Sequence, residues 1–209
     1  VIEHGMVTSA ISRAQKRVEA HNFDIRKQLL EYDNVMNKQR EEVYRQRNEA
    51  LMSEDISARV LEDILHTVSE RVDAALGEGR THSSDWNLRG LADEMSLLLM
   101  TIVDENTLHA ETPGELREKA LAIAETAYRS REREFTPEVT RELERHLYLF
   151  TTDEKWREHL HELDHLKGGI GLRAYGQRDP LVEYNKEAFL LFETMMNDTR
   201  EEFVKRFFR

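Results

Sequence analysis

Cysteine is absent from all 209 residues. Disulfides and thiolate metal sites are thereby excluded, and a reducing compartment is the expected setting. No apolar run approaches the roughly 18 to 20 residues needed to cross a bilayer. The opening residues, Val1-Ile2-Glu3, carry neither a methionine nor a secretory leader, so the chain reads as a piece cut from a longer protein. Basic charge is in deficit: 30 Lys and Arg stand against 41 Asp and Glu, a net charge of −11. Nucleic-acid surfaces need clustered cations to meet phosphate, so that class of partner is not expected. Hydrophobic residues make up 39% and charged residues 34%, a balance closer to long solvent-washed helices than to a dense globule. Proline and glycine are scarce too, and neither occurs between Met6 and Leu76. Nothing in that interval breaks a helix. No segment alternates with period two, and there are no internal repeats or low-complexity tracts. The expected fold class is all-α.

What is present falls into three stretches. Residues 1–48 carry 7 acids against 9 bases, residues 49–135 carry 19 against 9, and residues 136–209 carry 15 against 12. An acidic body thus lies between two nearly balanced arms, which is the first domain signal. In the first arm Val7, Ile11, Ala14, Val18, Ile25, Leu29, Tyr32, Met36 and Val43 recur every three, four or seven residues. That spacing predicts one helix over 6–51 with a single buried stripe, about 65–70 Å long at 1.5 Å per residue. Ser53 is the expected cap of a second helix with Ile56, Val60, Ile64, Val68 and Leu76, which Gly77-Glu78-Gly79 ends. A shorter helix follows, with Leu91, Met95, Leu98 and Ile102 on its stripe.

Thr112-Pro113-Gly114-Glu115 is a strong start signal: an N-cap threonine, proline at the first helical position, and a glutamate to close a capping box. The helix after it should bury Leu116, Ala120, Ile123 and Ala127. Thr136-Pro137-Glu138 starts another, with Val139, Leu143, Leu147, Phe150, Trp156, Leu160 and Leu163 as its apolar face. Gly168-Gly169-Ile170-Gly171 is expected to end it. Asp179-Pro180 begins the last helix, whose apolar residues are Val182, Phe189, Phe192, Met195, Met196, Phe203 and Phe207. Two helices joined this way make an antiparallel hairpin. Its loop would expose Ile170, Leu172, Arg173, Tyr175 and Arg178, an arrangement costly unless something is touched there.

Three motifs tempt a chemical reading. His161-Glu162-Leu163-Asp164-His165 fits H-E-x-x-H, in which two imidazoles on one helix face hold zinc and the glutamate works on the bound water. At 100° per residue, however, His161 and His165 fall on the side away from Trp156, Leu160, Leu163 and Leu166. A catalytic zinc helix turns its histidines inward, whereas these should face water. Gly169-Ile170-Gly171-Leu172-Arg173-Ala174 imitates a dinucleotide fingerprint but follows a helix, not a strand, and is rejected. The first helix carries Arg13, Lys16, Arg17, Arg26, Lys27, Lys38 and Arg40, but interleaved Glu19, Asp24, Glu31 and Asp33 favour local ion pairs over a nucleic-acid stripe. No phosphate-cradling G-x-x-x-x-G-K-[ST] is present.

Two longer stretches carry a resemblance. They are Ala14-Gln15-Lys16-Arg17-Val18-Glu19 with Asn22-Phe23-Asp24-Ile25-Arg26-Lys27-Gln28-Leu29-Leu30-Glu31-Tyr32-Asp33, and Trp156-Arg157-Glu158-His159-Leu160 with Asp164-His165-Leu166, Gly169-Ile170, Leu172-Arg173, Tyr175, Gln177, Asp179-Pro180 and Glu183-Tyr184. Both resemble SecA, the ATP-driven motor family of bacterial protein secretion, in the expected order and spacing. The resemblance covers nearly the whole chain and is weakest in the acidic middle.

It implies a long scaffold helix over 1–50, a helical wing over 51–135, and a two-helix finger over 136–209 that returns to the scaffold. It also implies a non-catalytic part, since the nucleotide-binding motifs are missing. No cofactor belongs to this stretch; ATP and Mg belong to the missing motor domains. By position, Tyr175 is the finger-tip tyrosine that meets the substrate polypeptide, with Ile170, Leu172 and Arg173 beside it. Asp24 and Arg26 lie on the scaffold stretch facing the motor. Implied partners are the nucleotide-binding lobes, the preprotein cross-linking domain, the SecYEG channel and unfolded preprotein, at the inner face of the bacterial plasma membrane. The first histidine of the pentapeptide is not a family feature, and Leu163 stands where relatives tend to have methionine. A zinc hydrolase and a plain helical interaction scaffold are the alternatives.

Overall fold

A computed structural model describes residues 5–77, 82–173 and 179–209. Among the described residues there are helices and no strands. In chain order they are α1 (Gly5–Met52), α2 (Ser57–Leu76), a 3-10 turn (Ser83–Asp85), α3 (Leu88–Leu99), α4 (Glu105–Leu108), α5 (Pro113–Glu134), α6 (Pro137–Arg173) and α7 (Pro180–Phe208). The chain divides into two compact units. The first takes Val1–Tyr44 and Glu158–Glu193; the second takes Arg45–Arg157 and Thr194–Arg209. Helices α1, α6 and α7 each supply residues to both.

The second unit has a core of two fourfold-spaced rows. Val60, Ile64, Val68 and Val72 of α2 share it with Leu116, Ala120, Ala124 and Tyr128 of α5. Rows at i, i+4 are one of the two natural ridges of a helix. Leu91, Met95 and Leu98 of α3 and Phe203, Val204 and Phe207 of α7 complete it. The end of α1 is tied to α6 by Arg47, whose Nε and Nη2 donate to Asp153 at 2.9 and 3.3 Å.

The local start and stop chemistry explains most boundaries. Thr112 Oγ1 accepts from the Glu115 amide at 3.2 Å, with Pro113 at the first helical position. The Glu115 carboxylate closes the box one residue early, accepting from the Glu111 amide at 3.0 Å. Asn87 caps α3 by accepting from Gly90 N. A Cβ at Gly90 would come 2.2 Å from the Asn87 side chain, so glycine makes room for that cap. Gly77 ends α2 at φ 64°, a conformation glycine adopts without a Cβ penalty.

Four expectations are corrected. Ser53 does not cap α2; its hydroxyl donates to Glu49 O, and Asp55 Oδ1 takes the Ser57 amide at 2.7 Å instead. Helix α3 stops at Leu99, so Ile102 is off its stripe and 96% exposed. The apolar stripe of α1 is covered only from Tyr32 onward; Val7, Ile11, Val18, Ile25 and Leu29 are exposed. And α6 does not end at the glycines but runs on to Arg173.

That last difference has a physical account. Each glycine in a helix interior costs roughly 0.5 to 1 kcal/mol against alanine. Burial of Ile170, 3% exposed beside Leu163, Tyr184 and Ala188, offsets it at about 1.5 to 3 kcal/mol for a large aliphatic side chain. A Cβ at Gly168 or Gly169 would meet nothing within 4 Å, so packing does not require glycine there. The double substitution Gly168→Ala and Gly169→Ala should therefore stabilise the first unit by about 1 to 2 kcal/mol. Urea unfolding followed by helical circular dichroism checks this; a lower midpoint would contradict it.

Candidate functional site

Of the residues singled out from the sequence, Ile170 enters a buried cluster in the first unit. Near its tip α6 presents Leu163 and Ile170, and α7 presents Tyr184 and Ala188, as one buried cluster. Tyr32, Val35 and Met36 of α1 pack against it, with Leu166 and Leu191. The helical hairpin is therefore seated on α1. Tyr32 meets Tyr184 edge to face, ring centroids 4.8 Å apart, a geometry the ring quadrupoles favour. Burial, with the nearby Asp33 and Asp164 carboxylates, pushes the Tyr184 phenol upward. Lys167 Nζ donates to Asp33 Oδ1 at 2.9 Å; both side chains are partly exposed, so the pair adds under about 1 kcal/mol. Helix α7 starts where Asp179 Oδ1 accepts from the Leu181 amide at 2.9 Å, with Pro180 at the first turn.

A polar relay crosses the same three helices. Gln39 Nε2 donates to the Ala188 carbonyl at 2.9 Å, and Gln39 Oε1 lies 2.9 Å from His159 Nε2. The carbonyl accepts only, so the amide nitrogen must face it and the amide oxygen must face the histidine. The proton of the neutral imidazole is thus on Nε2. Phe192 lies against the ring at 5.8 Å between centroids. Sequence reading passed over both polar residues. The signal was there: His159 stands three residues after Trp156 and four before Leu163, on the buried face.

Burial pulls the His159 imidazole down to about 4. Histidine in an unfolded chain titrates near 6.5. Between those values the unfolded chain binds a proton that the folded one refuses, so stability is full above about pH 6.5 and falls as the pH drops toward 4. The gap corresponds to about 3 kcal/mol. Wild type should lose about 2 to 3 kcal/mol more between pH 7 and pH 4.5 than His159→Gln does. Urea midpoints at the two pH values decide it, and parallel losses would count against the relay.

The remaining sequence-selected residues fall as follows. Tyr175 lies outside the described residues. Leu172 and Arg173 are the last two residues of α6. Ile170, expected on an exposed loop, is spent on the hairpin's own core. Asp24 and Arg26 are exposed on α1, in the stretch whose apolar neighbours Phe23, Ile25, Leu29 and Leu30 are also exposed. In the pentapeptide His161, Glu162, Asp164 and His165 are exposed while Leu163 is buried, as the helical wheel requires. Among the described residues no group of three or more His, Asp or Glu is placed to hold a metal ion. No helix among them is long and apolar enough to cross a membrane.

Comparison with known proteins gives this geometry a context. The family described as SecA Wing and Scaffold domain matches residues 1–209. The chain is 43% identical over 210 residues to the protein translocase subunit SecA of Syntrophobacter fumaroxidans, covering 99% of this chain and 25% of that protein. It is 43% identical to the protein of the same name from Pelotomaculum thermopropionicum, covering 100% and 24%. Against that of Halothermothrix orenii the figures are 40%, 100% and 24%. The chain spans about a quarter of the length of these relatives.

Proposed function

The chain belongs to the SecA wing and scaffold family, and on that premise we propose that it is the non-catalytic coupling part of an ATP-driven protein translocase. Nucleotide-binding lobes outside this sequence would hydrolyse ATP with Mg, and this part would pass their movement to a preprotein in the SecYEG channel. The observation that carries the reading is the hairpin of α6 and α7 seated on α1 through Tyr32, Met36, Gln39 and Tyr184. A second supports it. The stripe of α1 continues past the hairpin as exposed Val7, Ile11, Val18, Ile25 and Leu29, which suits a helix that the motor lobes cover.

Tyr175 sits between the hairpin's legs in sequence and is proposed to touch the substrate polypeptide, with Leu172 and Arg173 beside it. One aromatic ring contributes a few kcal/mol at most. That strength fits repeated grip and release of unrelated sequences. Asp24 and Arg26 are proposed to face the motor lobes. The place of work would be the inner face of the bacterial plasma membrane, reached from the cytoplasm. Exposure of His161 and His165 together, on the face turned away from buried Leu163, disfavours the zinc-hydrolase alternative.

The full-length translocase carrying Tyr175→Ala should hydrolyse ATP at a rate within about twofold of wild type, yet translocate at least about tenfold more slowly. ATP turnover and protease-protected preprotein, measured side by side in inverted vesicles, test it. Normal translocation would refute the tip contact.

A further inference from the structure

We propose that the exposed end of α3, with the groove running from it along α5, is a docking surface for a cationic amphipathic polypeptide helix. The surface belongs to the second unit and does not depend on the reading of the hairpin. Leu97, Met100 and Ile102 stand there 77%, 62% and 96% exposed. Beside them lies a groove of about 410 Å³ lined by Leu99, Ile102 and Phe208, with Ala122, Thr126 and Ser130 of α5 in its wall. Those three small residues recur every four positions, so they share one face of α5 and leave depth for a row of side chains.

Ile102 is held out in solvent rather than left there by a loose loop. On one side Met100 takes the left-handed conformation at φ 49°, which costs a residue with a Cβ about 1 to 2 kcal/mol. On the other side the Val103 amide donates to Ser96 Oγ at 2.9 Å, that hydroxyl donates to Ala92 O at 2.7 Å, and Val103 is buried. A strained residue and a buried anchor thus bracket the most exposed large apolar side chain among the described residues. An apolar patch fixed in water by its own backbone marks a contact surface.

Charge selects the occupant. Asp93 and Glu94 lie one turn before Leu97 on α3, and Asp104 and Glu105 follow Ile102; all four are exposed. The arginine lining the groove is already engaged: Arg131 Nη1 donates to Glu134 at 3.0 Å, and its guanidinium lies 5.0 Å from the Phe135 ring centroid. An apolar strip fringed by carboxylates complements a helix whose apolar row is flanked by Lys or Arg.

The test uses the full chain and a fluorescein-labelled 18-residue helical peptide of leucine and lysine, with its glutamate-for-lysine counterpart as a control. Anisotropy at physiological salt should show saturable binding of the lysine peptide and none of the glutamate peptide. Leu97→Ser with Ile102→Ser should weaken that binding at least about tenfold without lowering the melting temperature, because both side chains are already in water. Asp93→Asn with Glu105→Gln should weaken it several-fold and flatten its salt dependence. Unchanged binding by the serine variant would mean that the acidic surface acts without the groove, and would overturn the proposal. Equal binding of the glutamate peptide would overturn it as well.

Discussion

Arg141→Met should cost the second unit about 3 to 5 kcal/mol, the penalty of leaving a buried charge without its partner. Glu144 is fully buried on α6. Its two oxygens are satisfied by Tyr128 Oη, which donates at 2.7 Å, and by Arg141 Nη1, which donates at 2.5 Å. The same guanidinium donates to the Tyr128 hydroxyl at 2.8 Å, reaches Glu132 on α5, and lies 3.5 Å from Asp55 in the linker before α2. One side chain thus joins α5, α6 and the entry to α2. Burial and the Glu144 carboxylate push the Tyr128 phenol up to about 12, so it stays a donor at any working pH. Remove the arginine and Glu144 remains in a low-dielectric site with a single hydrogen bond. The melting temperature should fall by roughly 6 to 20 °C. A double variant, Arg141→Met with Glu144→Leu, should recover most of the loss, because an apolar pair of similar volume often replaces a buried ion pair at no cost. Calorimetry on the three proteins checks both statements. A loss under about 1 kcal/mol for the single variant would show that the network adds nothing to stability.

The second large effect concerns partners and should leave the fold alone. Ile11→Asp, Val18→Asp and Ile25→Asp together should change the melting temperature by no more than about 6 °C, since each exposed substitution stays within about 0.5 kcal/mol. Binding to separately produced nucleotide-binding lobes should weaken at least about a hundredfold, if each apolar contact is worth 1 kcal/mol or more. The ground for this lies in the wheel. At 100° per residue, Val7, Ile11, Val18, Ile25 and Leu29 fall within about 40° of one line, and Tyr32, Met36 and Val43 continue it within about 60°. The continuation is covered by the chain itself. The earlier half is exposed. A stripe of one period, half covered from within, calls for a second cover from without. Unchanged affinity in the triple variant would remove that inference.

Much of the fold could be read in advance, because local physics decides it. The interval without glycine or proline became α1 and α2, and Thr112-Pro113-Gly114-Glu115 started α5 with the hydrogen bond expected of it. His161 and His165 faced water because Leu163 could not. The two misreadings on α6 share a cause in tertiary packing. Along α6 the expected apolar face included Val139 and Phe150, which are exposed; the buried face runs through Thr140, Glu144, Tyr148, Thr151, Trp156, His159 and Leu163. Hydrophobic periodicity cannot place a glutamate or a histidine inside. What places them there is Tyr128 of α5 and Gln39 of α1, hydrogen-bonding partners from other helices, with Arg141 one turn earlier on α6 itself. The glycines before Arg173 misled for a related reason. Their helical cost was visible, but the packing of Ile170 against Tyr184 was not. The candidate site was legible as a pair of helices and a long stripe, and the His159 and Gln39 relay between them was not.

The proposed role of this chain is to bind and transmit, with hydrolysis left to other domains. The most direct measurement titrates the purified chain into separately produced nucleotide-binding lobes and records ATP turnover together with complex formation. The chain alone should hydrolyse no ATP, should bind the lobes saturably, and should shift their turnover as the complex forms. Lobes whose turnover and sedimentation stay unchanged at saturating chain would contradict the account.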